Sequence, residues 1–227
     1  NRVNWRLNYP SKRGERLQSS TRRGFNRGGG IMVTPGTYSV TLEKRVNGVH
    51  TTLQGPVNFE VVPLFDGTLP RKSNEVINNF REDVTAFQQD LTSTNISLSR
   101  SLKTTNAMLR ALNKASRPTN ELFKKLNSTK ISLLTIDKEL NGDSIKDEIG
   151  ERSNPSASDG GSLGWTAFGN TYGPTDEHMR LLNRVKSQLK KVKNKLYPIV
   201  NSTLPSLRNE LIKTGAPWIE GQGLIKD

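Results

Sequence analysis

Two stretches of the chain repeat apolar residues at alternating intervals of three and four, a spacing that lets a helix bury one narrow stripe. We call these positions the heptad seam. They are Ile77, Phe80, Val84, Phe87 and Leu91 in the first stretch, then Leu182, Val185, Leu189, Val192 and Leu196 in the second. The first seam is expected to continue through Leu98, Leu102, Met108, Leu109 and Leu112. A stretch between these two shows spacings of three, four and seven, at Leu122, Leu126, Leu133, Ile136 and Leu140. Three helices with such stripes predict a long antiparallel helical bundle.

Helix-breaking residues divide this bundle into separate helices. The bundle is predicted to cover residues 73–227, with helices at about 73–115, 118–140, 175–200 and 204–214. Pro198 should kink the third helix, and Ser202 or Thr203 should cap the last one, which Gly215 ends. The glycine-rich connection 141–174 is predicted to be a long loop, loose at residues 143–161. Leu163, Trp165, Phe168 and Tyr172 are expected to pack against the bundle.

Residues 1–64 show the two-residue alternation of strands instead. The predicted strands run through Val3 to Tyr9, Tyr38 to Leu42, Val49 to Leu53 and Val57 to Val61. Asn47-Gly48 predicts a tight hairpin turn, because both positions accept a positive φ. Four strands are few for a complete sandwich, so we expect an incomplete, small antiparallel Ig-like β-sandwich followed by a linker at 65–72. The fold class is therefore α+β.

The positive charge of the chain is compatible with acidic partners, although a solvated basic surface is the simpler explanation. Lysine and arginine outnumber acidic residues by 34 to 21, for a net charge of +13. A loop rich in arginine and glycine supplies candidate polyanion contacts, which are Arg13, Arg16, Arg22, Arg23 and Arg27. Such a loop can hold nucleic acid or an acidic glycan, or simply join two strands.

Residue types that carry catalysis or bind metals are scarce. Cysteine is absent and the two histidines, His50 and His178, have no second ligand at a metal-binding spacing. The acidic residues fall mainly on helix exteriors, where ion pairs explain them. We therefore assign no catalytic, cofactor-binding or metal-ligating residue. No apolar run approaches the ~20 residues of a membrane span, so we expect a soluble protein.

Several motifs in a fixed order resemble a known family. They are Trp5-x-Leu7-x-Tyr9-Pro10, Pro35-Gly-Thr-Tyr-Ser-Val-Thr-Leu42, Pro174-Thr175 and Gly215-Ala-Pro-Trp218. This order resembles the C-terminal region of bacterial secreted sortilin-like, BNR-type β-propeller proteins, often labelled glycosyl-hydrolase-like. In that family an Ig-like domain and a helical tail follow the propellers. The resemblance implies a secreted, periplasmic or cell-surface location in the bacterial envelope. It also implies that the chain is a piece of a longer protein.

Three functions remain open on these grounds. The leading hypothesis is a non-catalytic interaction or scaffolding module at the C-terminal end of a larger protein. It would dock another subunit of an envelope or extracellular complex, or the upstream part of its own parent. The second is polyanion binding through the arginine-rich loop. The third is an accessory domain of a carbohydrate-active enzyme, with Trp5, Trp165 and Trp218 as stacking platforms, although core packing is the simpler interpretation of these tryptophans.

Overall fold

The computed structural model describes residues 4–10, 12, 30–65, 67–151, 155–164, 169–170 and 172–223. It is an α+β structure with a two-stranded antiparallel sheet followed by helices. The regular elements are β1 Gly36–Val46, β2 Val49–Val61, α1 Asn74–Leu112, α2 Asn120–Asn141, α3 Ser144–Glu148, a 3-10 helix Ala157–Ser162, α4 Asp176–Pro198, a π-helical turn Ile199–Thr203 and α5 Leu204–Lys213. The chain divides into two compact units, Asn1–Thr85 with Gly164–Thr175, and Ala86–Leu163 with Asp176–Asp227.

The sheet of the first unit is a hairpin rather than the predicted four-stranded module. Asn47 and Gly48 make the expected turn with φ values of 51° and 83°. The predicted strands 49–53 and 57–61 form one continuous strand, β2, with Gly55-Pro56 inside it. Residues 4–9 contribute only the bridge between Asn8 and Met32, because Leu7 has a φ of 57° and leaves the extended conformation. The described residues therefore do not form a second sheet layer.

The N-terminal turns of α1 hold the chain that leads into the hairpin. The amide Nδ2 of Asn74 donates to the carbonyl oxygen of Pro35 at 2.9 Å. Further along the helix, Nη1 of Arg81 donates to the carbonyl oxygen of Met32 at 2.7 Å. Val33 and Thr34 are buried between these two attachment points in the sequence. The base of the hairpin is thus fixed by two side chains that lie 39 and 49 residues further along the chain. They are seven residues apart on α1, which places them on the same side of the helix.

In the second unit the helices bury leucines along their predicted stripes. Helix α2 begins at its cap Thr119, whose hydroxyl accepts a hydrogen bond from the Leu122 amide at 3.4 Å. It packs against both α4 and α5. At one end a cluster joins α1, α2 and α5, and its members are Met108, Ala111, Leu112, Leu122, Leu126, Leu207, Leu211 and Ile219. Each such leucine contributes about 1.5–3 kcal/mol of burial, so this unit has a substantial apolar core.

The buried stripe of α1 differs from the prediction in its second half. The buried positions of α1 after Leu98 are Ser101, Thr105, Met108, Ala111 and Leu112, while Leu102 and Leu109 are only half-buried. The Thr105 hydroxyl donates to the carbonyl oxygen of Ser101, and the Ser101 hydroxyl donates to that of Ser97, both at 2.8 Å. Because a bond to the preceding helical turn satisfies each hydroxyl, the strict heptad continues through polar residues.

The segment predicted as loose, residues 143–161, is ordered over most of its length. It contains α3 and the 3-10 helix, and Ala157 and Leu163 are fully buried. Ser156 and Asp159 cap the 3-10 helix reciprocally, since the Ser156 amide donates to Asp159 Oδ2 at 3.2 Å. A Cβ atom at Gly160 would lie 2.5 Å from Phe87 Cε1 and 2.7 Å from Val185 Cγ2. The absence of a side chain lets this segment reach the seam residues of α1 and α4.

Near Pro198 a wider helical turn occurs where a new cap was expected. Helix α4 runs through Pro198 into the π-helical turn, and α5 follows without a break. The Leu204 amide donates to the carbonyl oxygen of Ile199, five residues earlier, and Thr203 makes no side-chain cap. Pro198 and Pro205 both lack the amide that a regular helix needs, and a turn with wider bonding accommodates them. Gly215 follows the last helix with a φ of 69°, as expected.

Candidate interaction surface

One side of the hairpin carries exposed aliphatic residues, which we call the apolar face. Its apolar residues are Val40, Leu42, Val46, Val49 and Val57. The pair Lys44 and Thr51 lies on the same side, between Leu42 and the two valines next to the turn. Val40 lies opposite Val57 and Val46 lies opposite Val49, so the valines form cross-strand pairs. Each of the five side chains is between 52% and 66% exposed. Contiguous apolar patches on a protein surface mark sites of interaction, whereas scattered exposed leucines do not.

The opposite side of the hairpin is polar. Thr37, Ser39, Thr41, Glu43 and Arg45 alternate with the apolar residues along β1. Nδ1 of His50 lies 3.3 Å from Oε2 of Glu43, with both side chains exposed. The 26 residues from Gly36 to Val61 hold two acidic and two basic residues, so the hairpin is neutral in a chain of net charge +13. The hairpin itself therefore adds no net charge to the long-range repulsion between two copies of the chain.

An aromatic cluster supports the base of the hairpin. The ring of Trp5 meets Tyr38 and Phe59 edge to face, with centroids 5.8 Å and 5.9 Å apart. The Tyr38 hydroxyl donates to the carbonyl oxygen of Thr34 at 2.7 Å. The hydrogen bond between Tyr9 and Tyr38 raises the pKa of Tyr9 above the usual 10.0, and partial burial raises it further. Among the described residues, the rings pack at this end of the hairpin, whereas Val46 and Val49 next to the turn are exposed.

Arg81 brings a partly buried charge to the same base. Burial lowers the pKa of its guanidinium, and the neighbouring charge of Arg71 lowers it further. A guanidinium starts from so high a pKa that it stays charged at neutral pH. Its bond to the Met32 carbonyl therefore remains charge-assisted, which is the stronger kind of hydrogen bond. Arg81 has a structural role here, holding the strand that precedes β1.

The basic residues of α4 mostly form ion pairs within the second unit. Nζ of Lys193 lies 2.8 Å from Asp90, Nζ of Lys195 lies 2.7 Å from Glu139, and Nη2 of Arg184 lies 3.3 Å from Asp159. Exposed pairs of this kind contribute at most about 1 kcal/mol each. They do, however, neutralise much of the basic stripe, so α4 presents less positive charge than its sequence suggests.

A groove of about 310 Å³ lies in the second unit. Lys138, Lys146 and Lys191 line it together with Asp143 and Glu139. The hydrogen bond from Lys138, at 3.0 Å, lowers the pKa of Asp143. Glu139 already accepts bonds from Lys195. Both acids of the groove are thus paired with lysines, and its three lysines and two acids leave one positive charge in excess.

The predicted site residues have mixed outcomes. All ten heptad-seam residues, from Ile77 to Leu196, are buried. Arg13, Arg16, Arg22, Arg23 and Arg27 lie outside the described residues, as do Trp165 and Phe168. The core interpretation is wrong for Trp5 and Trp218, which are 43% and 55% exposed.

The described residues contain neither a metal-ion site nor a membrane-spanning helix. Among them, no group of three or more His, Cys, Asp or Glu residues is arranged to hold a metal ion. No helix in the same residues is both long enough and apolar enough to cross a membrane.

Sequence reasoning missed the exposure of the apolar face. Alternating valines predict a strand with one buried side, and only neighbouring layers decide whether that side is covered. The available signal was the small number of strands, which already left the sheet incomplete. The sequence matches no protein-family model, and no curated protein and no solved structure is significantly similar to it.

Proposed function

We propose that this chain is a non-catalytic interaction module that docks a partner protein on the apolar face of its hairpin. The exposure of Val40, Leu42 and Val57 on one side of a two-stranded sheet carries the proposal. A lone hairpin is marginal in water, and a further layer or strand is what normally stabilises it. A docked partner would supply that layer.

The energetics indicate what such a partner must provide. Complete burial of an aliphatic side chain contributes about 1.5–3 kcal/mol. The five residues of the apolar face are half exposed, so covering them contributes roughly 5 kcal/mol. Association costs about 4–15 kcal/mol in lost freedom. The apolar face by itself is therefore borderline, and the partner must also form hydrogen bonds or contacts beyond it.

The partner in this proposal is another subunit of an envelope or extracellular complex, or the upstream part of the chain's own parent. The support for this setting is the resemblance to the tails of secreted sortilin-like, BNR-type proteins. A sheet of only two strands adds physical support, since an Ig-like domain completed by a partner would cover the same face.

The test replaces Val40, Leu42 and Val57 together by threonine, which keeps the strand preference but removes apolar area. The matched control replaces three exposed apolar residues of α2, Phe123, Ile131 and Leu134, by serine. Proteins captured from bacterial envelope extracts by the wild-type chain are purified, and their binding is measured by calorimetry. We expect the hairpin variant to raise the dissociation constant at least about tenfold and the control to leave it unchanged.

Two results would contradict the proposal. One is a hairpin variant that binds the purified partner as tightly as the wild-type chain. The other is a wild-type chain that captures no protein from such extracts. Circular dichroism of both variants should match the wild type, so that a lost interaction cannot be attributed to unfolding.

A further inference from the structure

The two outer edges of the hairpin differ in how well they can accept another strand. Val40 lies opposite Val57 and Leu42 lies opposite Gln54. A move of two residues along β1 therefore corresponds to a move of three residues along β2. The next residue of β1, Glu43, lies opposite Thr52, which is two residues beyond Gln54 on β2. The extra residues and Pro56, which has no amide hydrogen, therefore fall on β2. Its outer edge is interrupted twice.

The outer edge of β1 has none of these interruptions. Its 11 residues include no proline, and all the inserted residues lie on the other strand. Among the described residues, β2 is the only strand paired with β1, so the opposite edge is open. A regular, open edge presents its unpaired amides and carbonyls as a template for another strand.

We propose that the outer edge of β1 pairs antiparallel with the same edge of a second copy of this chain, about a two-fold axis at Thr41. An axis there pairs the whole of β1, from Gly36 to Val46. The opposed residues are Thr41 with Thr41, Val40 with Leu42, Ser39 with Glu43, Tyr38 with Lys44 and Thr37 with Arg45. Val40 and Leu42 of the two copies then lie on the same side and extend the apolar face across the axis.

Charge and overlap select this register over its neighbours. An axis at Glu43 would place two glutamates opposite each other, and an axis at Lys44 would oppose two lysines, which destabilises a sheet. An axis at Val40 would pair only residues 36–44. An axis between two residues would turn the two apolar faces to opposite sides. The register about Thr41 alone keeps full overlap, a common face and no opposed like charges.

A second copy suits this edge for a further reason. The hairpin is electrically neutral, so the two edges meet without local repulsion although each chain carries +13. A two-fold interface also needs a self-complementary surface, which the pairing about Thr41 supplies. Repulsion between the remaining charges is screened by salt, so dimerisation should strengthen as ionic strength rises.

The inference rests on the proposed function only in using the hairpin as a binding element. The outer edge of β1 and the apolar face are separate surfaces of it. A partner protein can therefore dock on the face whether or not two copies pair at the edge.

The test uses single cysteines, because the chain contains none. Thr41→Cys should form a disulfide-linked dimer on mild oxidation, since directly opposed residues lie about 4.5–5.5 Å apart and disulfides span about 4.4–6.8 Å. Thr37→Cys is the matched control on the same polar side. Its copy lies eight residues away along the paired strand, about 27 Å, and should not cross-link.

Charge variants give a second measurement that needs no cross-link. Thr41→Lys opposes two lysines and should raise the dimer dissociation constant about two- to fivefold, measured by analytical ultracentrifugation. Ser39→Lys faces Glu43 of the other copy and should lower it by a similar factor. Helical circular dichroism should match the wild type in both variants.

Two outcomes would overturn the inference. The first is a wild-type chain that stays monomeric up to millimolar concentration. The second is a Thr41→Cys chain that cross-links no faster than Thr37→Cys. Either result with intact binding on the apolar face leaves the proposed function standing. If Thr41→Cys forms the cross-linked dimer but the chain captures no partner protein, the inference stands and the proposed function is contradicted.

Discussion

In the unit built from residues 86–163 and 176–227, leucines at heptad spacing are almost completely buried, whereas the valines of the hairpin stay more than half exposed. Both regions follow a regular apolar pattern. The difference lies in the backbone. A helix forms its own hydrogen bonds and needs only neighbours for one stripe. A two-stranded sheet leaves a face and two edges without partners, so its pattern is completed only by something else.

The largest expected contrast comes from truncating a leucine in each region. Leu126→Ala removes a fully buried side chain and should lower the free energy of unfolding by about 2–5 kcal/mol. Leu42→Ala removes an exposed one and should change it by no more than about 0.5 kcal/mol. Urea unfolding, monitored by amide hydrogen exchange, measures the loss of stability in both regions. Equal losses would show that the hairpin face is already covered in the isolated chain.

A second contrast tests the inserted 3-10 helix of the helical unit. Gly160→Ala places a methyl group against Phe87 and Val185 and should cost about 1–3 kcal/mol of stability. Gly161→Ala is the matched control, because a Cβ there meets nothing within 4 Å. Thermal unfolding followed by circular dichroism distinguishes them. If the two alanine variants melt together, the segment does not pack between the seam residues.

A third prediction concerns the end of the hairpin at which the aromatic cluster packs. Trp5→Ala removes two edge-to-face contacts, with Tyr38 and Phe59, and should destabilise the hairpin by about 1–2 kcal/mol. Hairpin amides should then exchange about five- to thirtyfold faster. Tyr197→Ala, an exposed position in the other unit, should leave them unchanged. Unaltered exchange in the tryptophan variant would mean that the aromatic cluster does not hold the hairpin.

The smallest effect is expected from alkaline pH. The hydrogen bond to Tyr38 and burial raise the pKa of Tyr9 in the folded protein above 10.0. The folded chain therefore holds this proton more tightly than the unfolded chain. The associated stability is complete below about pH 10 and is lost as the pH rises through the folded pKa. Tyr9→Phe removes this titration.

Tyrosinate absorbance near 295 nm measures it directly. The wild-type titration should contain a component at higher pH that is missing from the Tyr9→Phe variant. Lys138→Met, which removes a charge from the helical unit instead, is the matched control and should leave that component in place. Superimposable wild-type and Tyr9→Phe curves, after scaling for the number of tyrosines, would exclude the bond between Tyr9 and Tyr38.

Prediction from the sequence succeeded where a local signal was sufficient. The turn at Asn47-Gly48 follows from two residues that accept a positive φ, and the buried stripe from Ile77 to Leu98 follows from helical geometry. Prediction failed where the burial of a residue depends on contacts that the apolar pattern does not show. Ser101 and Thr105 look like solvent-facing residues, yet bonds within α1 make their burial acceptable. Gly160 looks like part of a loose loop, yet its lack of a side chain lets the segment pack.

The same division holds for the candidate interaction surface. The alternation in β1 and β2 and the neutral charge of the hairpin are properties of the sequence alone, because they depend on neighbours in the chain. Tertiary structure alone decided the exposure of Val40 and Leu42 and the interrupted edge of β2. It also decided the hydrogen bonds by which Asn74 and Arg81 hold the base of the hairpin. The reason is that periodicity states which side of an element is apolar, while burial depends on which residues from elsewhere in the chain come to lie against it.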